Sequence, residues 1–381
     1  MNERTILIGD YLSGEYSMAE LARRRGVSRK TVYKWIERYE QGGAEGLTEH
    51  CRAAHHHPNE TSREMEERIL SWKEKRPSWG APKIHSKLVE LADCPAESTV
   101  SNVLKRHGLT RALRRRLRAT PSAGPLRDGQ GPNQIWCVDF KGWFQLGNGR
   151  RCDPLTISDQ YSRYMLCCQG MVRVPQVLTV KPLFIRTYRE YGLPEKIRTD
   201  NGTPFASTGL GGLTSLSVWW LRLGIQLERI EPGHPEQNGR HERLHRTLKA
   251  AVLKPPCWSL QQQQQAFDAF RQDYNQERPH EALGQKPPAL FYQPSARQYP
   301  ERLPEVGYPC GWIERRVSPG GQLKWRGLKL HVSHALVGQV VGLEAIAEGL
   351  WKLHFMSLEL GHIDESKQCL VPANNSSSSR K

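Results

Sequence analysis

The segment Pro235-Glu236-Gln237-Asn238-Gly239-Arg240-His241-Glu242-Arg243-Leu244-His245 supports two incompatible chemistries. Within it, His241-Glu242-Arg243-Leu244-His245 is H-E-x-x-H, the helical zinc motif of a metalloprotease. Taken instead as Pro-x-x-Asn-Gly-x-x-Glu, it delivers one acidic metal ligand, Glu242, just after a tight turn. The second reading needs two more carboxylates upstream, and Asp139 and Asp200 are available. Which one holds decides whether the substrate is a peptide or a nucleic acid.

Helix geometry separates the two. At about 100° per residue over 240–253, Leu244, Leu248, Ala251 and Val252 form one apolar stripe, with His241 and His245 along its edge. Glu242, Arg246 and Lys249 cluster on the opposite face. A carboxylate in line with two cations suits an acid that holds a metal while its neighbours hold phosphates. A zinc protease needs a third ligand, and no extended H-E-x-x-H-x-x-G-x-x-H pattern follows.

Asp139 lies mid-strand in Ile-Trp-Cys-Val-Asp-Phe, an awkward place for a charge without a task. Alternation puts Cys137 on its face and Trp136, Val138 and Phe140 on the other. Asp200 follows a short strand, 196–199, and precedes Asn201-Gly202, at the strand end where α/β folds bind ligands. Three convergent carboxylates repel one another unless divalent cations neutralise them. Hard oxygen ligands without a companion cysteine select Mg2+ or Mn2+ over Zn2+.

The elements that must position these groups are legible in outline. Residues 1–50 read as a helix-turn-helix. Ser17 caps one helix, Gly26-Val27 turns, and Ser28 caps a second that presents Arg29, Lys30, Thr31 and Lys34 to a DNA groove and its phosphates. A second helix-turn-helix-like module spans 60–109, with helices over 62–75 and after Pro82, and a third capped by Ser98. Residues 110–133 form a basic linker. Strands at 135–146, 153–158 and 163–172, then helices 177–191 and 215–223 alternating with strands 196–199 and 226–230, make a central α/β core over 134–255. A helical extension occupies 256–300, a small β-barrel 305–372 and a disordered polar tail 373–381.

Bulk properties agree with a polyanionic partner. The 381 residues carry a formal charge of +16, and seven basic residues and no acid lie between Lys105 and Arg118. No window approaches the ~18 apolar residues of a spanning helix, and the N-terminus lacks a signal-peptide core. Nine scattered cysteines without a C-x-x-C pair fit a reduced cytoplasm. His55-His56-His57 has no matching ligands for a zinc site.

The motifs also carry a resemblance. Trp136-Cys137-Val138-Asp139-Phe140-Lys141-Gly142, Arg198-Thr199-Asp200-Asn201-Gly202-Thr203-Pro204-Phe205 and 234–249 resemble the integrase core of bacterial insertion-sequence transposases, in the retroviral-integrase-like DDE superfamily. Tyr274-Asn275-Gln276-Glu277-Arg278-Pro279-His280-Glu281-Ala282-Leu283 is similar to the segment that follows this core in such proteins. The likeness covers residues 134–290, and the first helix-turn-helix more loosely.

It implies a ribonuclease-H-like core in which Asp139, Asp200 and Glu242 hold two divalent cations, Mg2+ or Mn2+. The implied activity is cleavage at the donor DNA end, then strand transfer without a covalent enzyme intermediate. The implied partners are terminal inverted repeats, target DNA and further copies of the chain assembled on DNA. Such a protein would be cytoplasmic and nucleoid-associated, with no membrane contact. One departure concerns spacing, because the family's usual interval after the second Asp would select Glu236. Motif context selects Glu242, three residues after Gly239, with the Gly-rich stretch 208–214 absorbing the extra length. The alternatives are a non-catalytic DNA-binding regulator with a retained core, a metal-dependent nuclease without strand transfer, and the zinc protease.

Overall fold

A computed structural model describes residues 3–49, 61–89, 91, 93–110, 126–172, 176–231 and 234–373. His55-His56-His57, the basic run 111–118 and the tail 374–381 lie outside the described residues. The chain divides into two compact units, Met1–Ser62 and Arg63–Lys381. Among the described residues no helix is long and apolar enough to cross a membrane.

The first unit holds α1 (Glu3–Leu12), α2 (Met18–Arg24) and α3 (Arg29–Gly42). Glu20 reaches back to accept from the Ser17 N–H at 2.8 Å, and the Ser28 hydroxyl accepts from the Thr31 N–H at 3.2 Å. Both satisfy donors that a helix start leaves open. Gly26 turns the chain between α2 and α3 at φ +62°, a conformation favoured by a residue without Cβ. Leu7, Ile8, Leu21, Val32, Trp35 and Ile36 close a small core. Its packing leaves Arg29, Lys30 and Lys34 exposed on α3 and Thr31 half-buried.

The second unit opens with α4 (Arg63–Lys75), α5 (Ala81–Leu88) and α6 (Glu97–Arg106), packed through Ile69, Trp79, Ile84, Val100 and Leu104. Ser98 does not cap α6. Ala96 holds the N-cap position, and Glu97 supplies the first-turn acid that favours the helix start. This module is pinned to the segment beyond the core. Arg76 pairs with Asp273, Lys83 donates to the Pro279 carbonyl, and Lys87 meets Glu277 at 3.1 Å.

The central sheet comprises β1 (Ile135–Phe140), β2 (Phe144–Gln145), β3 (Arg151–Asp159), β4 (Met165–Met171), β5 (Lys196–Thr199) and β6 (Gln226–Arg229). Strands β1 and β2 both pair antiparallel with β3, as one interrupted strand. The sequence expects a single strand over 135–146; the chain breaks at Lys141-Gly142-Trp143, where Gly142 takes φ +82°. Beyond β1, β5 and β6 join in parallel. The crossovers carry α7 (Val177–Tyr191) and α8 (Ser215–Arg222) on one face, sealed by Trp136, Val138, Phe184, Tyr188, Trp219 and Trp220. The opposite face receives α9 (Gly239–Val252) and α10 (Leu260–Gln276), through Leu244, Leu248, Phe267, Phe270 and Tyr274 against Cys152, Met165 and Cys168. This two-sided burial accounts for the almost unbroken burial of β3 and β4.

The C-terminal part corrects the expectation of a small β-barrel. Here β7 (Ile313–Arg316), β10 (Val340–Ala347), β11 (Leu350–Phe355), β12 (Leu358–Asp364) and β13 (Cys369–Pro372) form an open antiparallel sheet in the order β13-β12-β11-β10-β7. A separate hairpin of β8 (Gln322–Trp325) and β9 (Leu328–His331) completes the core with Leu323, Trp325 and Leu330. Closure requires the edge strands to pair. The edges β7 and β13 are only four residues each and do not meet.

Candidate active site

The sheet topology places the upstream acids. Parallel pairing matches Cys137 with Arg198. The pairing ends there, and Asp139 and Asp200 each lie two residues beyond that last pair, at the same end of two adjacent parallel strands. Both then sit at the carboxyl ends of adjacent parallel strands, where the ladder stops and backbone and side chains face a crevice. Asp200 accepts from the Gly202 N–H at 3.1 Å, and Asn201 donates to the Ile230 carbonyl at 2.7 Å, which ties this turn to the end of β6.

Helix α9 carries Glu242, the third acid expected from the sequence. It buries His241, Leu244, His245 and Leu248, and it leaves Glu242, Arg246 and Lys249 exposed. Glu242 lies in the first turn, where the helix dipole favours a negative charge. Ala251, placed by periodicity on the apolar stripe, is exposed, whereas Val252 beside it packs against the core. Glu236 lies in the 3-10 helix Pro235–Asn238 that leads into α9.

Asp139 feels both its burial and the other acids. Burial pushes the Asp139 carboxyl up to about 7, and the charges of Asp200 and Glu242 add to that shift. The Phe140 N–H and the Lys141 ammonium pull the other way and do not cancel it. A buried carboxyl with further carboxylates acting on it, whose shift the nearby Lys141 does not cancel, has the donor chemistry that a divalent ion satisfies. By that test the residues fit Mg2+ or Mn2+.

The two histidines turn inward, onto β3. Strand pairing sets Thr156 opposite Asp139 and Ser158 opposite Cys137, so both hydroxyls share the Asp139 face. Thr156 Oγ1 lies 2.7 Å from Nε2 of both His241 and His245, and Ser158 Oγ lies 2.9 Å from His241 Nδ1. Burial holds both imidazoles neutral, with the pKa of His241 pushed down to about 3 and that of His245 to about 2. In a zincin both histidines would turn one nitrogen to a shared ion with the glutamate beside it. Here both Nε2 atoms are engaged by a hydroxyl, and Glu242 faces away. Ligand atoms of Asp139, His241 and His245 nonetheless all lie within 4.8 Å of one another.

Sequence reasoning did not find Thr156, Ser158 or Arg198. The Arg198 side chain, 3% exposed, pairs with Glu228 at 2.6 Å and donates to the Arg127 carbonyl at 2.8 Å. It thereby joins β5 to β6 and to the chain entering the core. An arginine in the middle of the short strand that ends directly before Asp200 was the available signal, since a buried guanidinium requires partners. Asp159 closes the turn after β3: it accepts from the Asn133 N–H and the Ser162 N–H at 2.8 and 2.7 Å.

Comparison with known proteins shows the domain content. Residues 129–235 and 223–288 match integrase core domains, residues 3–50 a helix-turn-helix domain and residues 31–104 a homeodomain-like domain. Over 161 residues, 42% of this chain, the sequence is 30% identical to an uncharacterized 31.7 kDa protein of insertion element IS407 from Burkholderia multivorans, covering 55% of it. It is 32% identical over 161 residues to an uncharacterized 39.2 kDa protein of insertion element IS476 from Xanthomonas euvesicatoria, covering 42% of this chain and 44% of that one. A transposase of transposon Tn552 from Staphylococcus aureus is 23% identical over 274 residues, 65% of this chain and 55% of that protein. The chain thus spans about half the length of the curated relatives it matches.

Proposed function

We propose that this chain, an integrase-core relative of insertion-element transposases, binds the ends of a mobile DNA element and catalyses metal-dependent cleavage and strand transfer. The observation that carries this reading is a buried Asp139 carboxyl at the carboxyl edge of the sheet, held up by its burial and further by the charges of Asp200 and Glu242. Asp139, Asp200 and Glu242 would hold the divalent cations, Mg2+ or Mn2+. When bound, such ions lower the pKa of an attacking water or 3′-hydroxyl and stabilise the leaving oxygen.

The chain's own residues do the rest. Arg246 and Lys249 stand one and two turns beyond Glu242 on the exposed face of α9, within reach of phosphates flanking the scissile bond. Glu228 and Arg198 hold the strand that carries Asp200. Arg29, Lys30, Thr31 and Lys34 of α3 would read and grip the terminal inverted repeats. The partners are those repeats, target DNA and further copies of the chain, in the bacterial cytoplasm.

The test uses the full chain with Mg2+ or Mn2+, DNA carrying the element's ends and a supercoiled target. Joined products that disappear with EDTA are expected. Nicked ends without joining would leave a nuclease, and binding without cleavage would leave a regulator. In the same preparation, Arg29→Ala and Lys30→Ala should each weaken DNA binding and each lower the slope of log affinity against log salt by about 0.9, one phosphate contact. An unchanged slope would remove α3 from the DNA interface.

A further inference from the structure

The polar contacts behind Asp139 favour one pair of tautomers for the two histidines. A hydroxyl has one proton, and Thr156 donates it to the Asp139 carbonyl at 3.1 Å. The same oxygen lies 2.7 Å from Nε2 of His241 and of His245, and with its proton on that carbonyl both imidazoles donate to its lone pairs from Nε2. Each neutral ring then keeps a bare lone pair on Nδ1. That of His241 is filled by the Ser158 hydroxyl at 2.9 Å. That of His245 faces Asp139 Oδ2 at 3.7 Å.

At this separation the two atoms are out of direct hydrogen-bond contact, and they belong to a group of ligand atoms of Asp139, His241 and His245 that all lie within 4.8 Å of one another. A direct hydrogen bond does not reach, since N–H···O and O–H···N contacts close at about 3.2 Å or less. A cation does. With donor distances of about 2.1 Å, a 3.7 Å pair subtends roughly 120° at the ion, and tetrahedral geometry needs the pair only roughly 0.3 Å closer. His241 is engaged at both nitrogens and is not free to join.

We propose that His245 Nδ1 is a nitrogen ligand to the cation held by Asp139, which makes this a mixed nitrogen and oxygen site that favours Mn2+ and later transition metals over Mg2+. The inference rests on the reading that Asp139 holds a divalent ion. Imidazole suits the transition series, whereas Mg2+ keeps to oxygen and water. Only one histidine of the H-E-x-x-H segment is used, and through the nitrogen on the side away from Thr156.

The experiment loads the full chain with Mn2+ alone and records electron spin-echo envelope modulation. Coupling to 14N is expected, and it should change to the 15N pattern in protein grown on 15N-histidine. His245→Asn should abolish that coupling and weaken Mn2+ binding by roughly 10- to 100-fold, with a smaller change for Mg2+. Mn2+ bound without nitrogen coupling overturns the His245 assignment and leaves the Asp139 reading standing. Coupling that persists in folded His245→Asn overturns it too. Absence of Mn2+ binding, with no difference between wild type and Asp139→Asn, overturns both. Should His245→Asn fail to fold, the wild-type spectrum and His245→Gln carry the test.

Discussion

Asp200→Asn and Glu242→Gln are each expected to lower the strand-transfer rate by on the order of 10^3-fold, the equivalent of several kcal/mol of charge stabilisation supplied by a correctly held cation. Each substitution keeps the shape of the side chain and removes its charge. DNA affinity should stay near wild type, because the proposed grip is made by α3, Arg246 and Lys249. Melting temperature should not fall, since either change relieves repulsion on Asp139. Glu236→Gln should leave joining intact. The outcome that sinks this assignment is the reverse pair, with joining lost in Glu236→Gln and retained in Glu242→Gln.

The second large effect concerns pH and metal together. Asp139 is buried and pushed up to about 7, whereas an unfolded aspartate titrates near 3.9. Between those values the folded protein holds a proton that the unfolded chain has released. The group therefore makes no net demand at pH 4, and it destabilises the metal-free fold increasingly as pH rises to 7. At about 1.4 kcal/mol per pH unit the cost reaches up to about 4 kcal/mol. Asp139→Asn carries no such charge. In EDTA, wild type and Asp139→Asn should show equal urea midpoints near pH 4, and the variant should be the more stable by up to about 4 kcal/mol at pH 8. Adding Mn2+ should close that gap in wild type alone. A pH-independent difference between the two proteins would show that Asp139 ionises freely in the fold.

His241, His245 and His280 work in the opposite direction. Burial pushes them down to about 3, about 2 and about 3. An unfolded imidazole takes up its proton near pH 6.5, and these do not. Below that pH the unfolded chain binds protons that the fold refuses, so both wild type and Asp139→Asn should lose stability on acidification. The slope should be steeper in Asp139→Asn, by about 1.4 kcal/mol per unit between pH 4 and 6.5, because the opposing group is gone. Parallel slopes in urea titrations would contradict this balance.

What could be read from the residues depended on whether the information was local. The two faces of α9 follow from a period of 3.6, and that arithmetic separated Glu242, Arg246 and Lys249 from Leu244 and Leu248. The faces of β1 follow from a period of two, which set Asp139 with Cys137 and away from Trp136 and Val138. Barrel closure was not local. Short alternating runs with glycine turns are the same in a closed barrel and in an open sheet, and only the meeting of β7 and β13 distinguishes them. Ser98 looked like a cap because capping residues are recognised by type, whereas the helix began one residue earlier on Glu97. Thr156 lies 85 residues before His241 and 89 before His245, and a threonine inside a strand announces nothing. Its place beneath α9 is set by the register of β1 on β3, which no local pattern encodes.

Were α6 to hold DNA, the clamp of Arg76, Lys83 and Lys87 on the Asp273–Pro279 segment would make the helical module at α4–α6 a gauge. That segment continues from α10, which packs under the same sheet that carries Asp139. A duplex held on the exposed Ser101, Asn102, Lys105 and Arg106 face of α6 would therefore meet the carboxylates at a set offset, measured in base pairs by the protein's own rigidity. DNA repeats every 10–10.5 base pairs per turn. Lengthening the spacer by about half that repeat would swing the scissile phosphate to the far side of the helix, and a full repeat would return it to the same side but displaced along the axis.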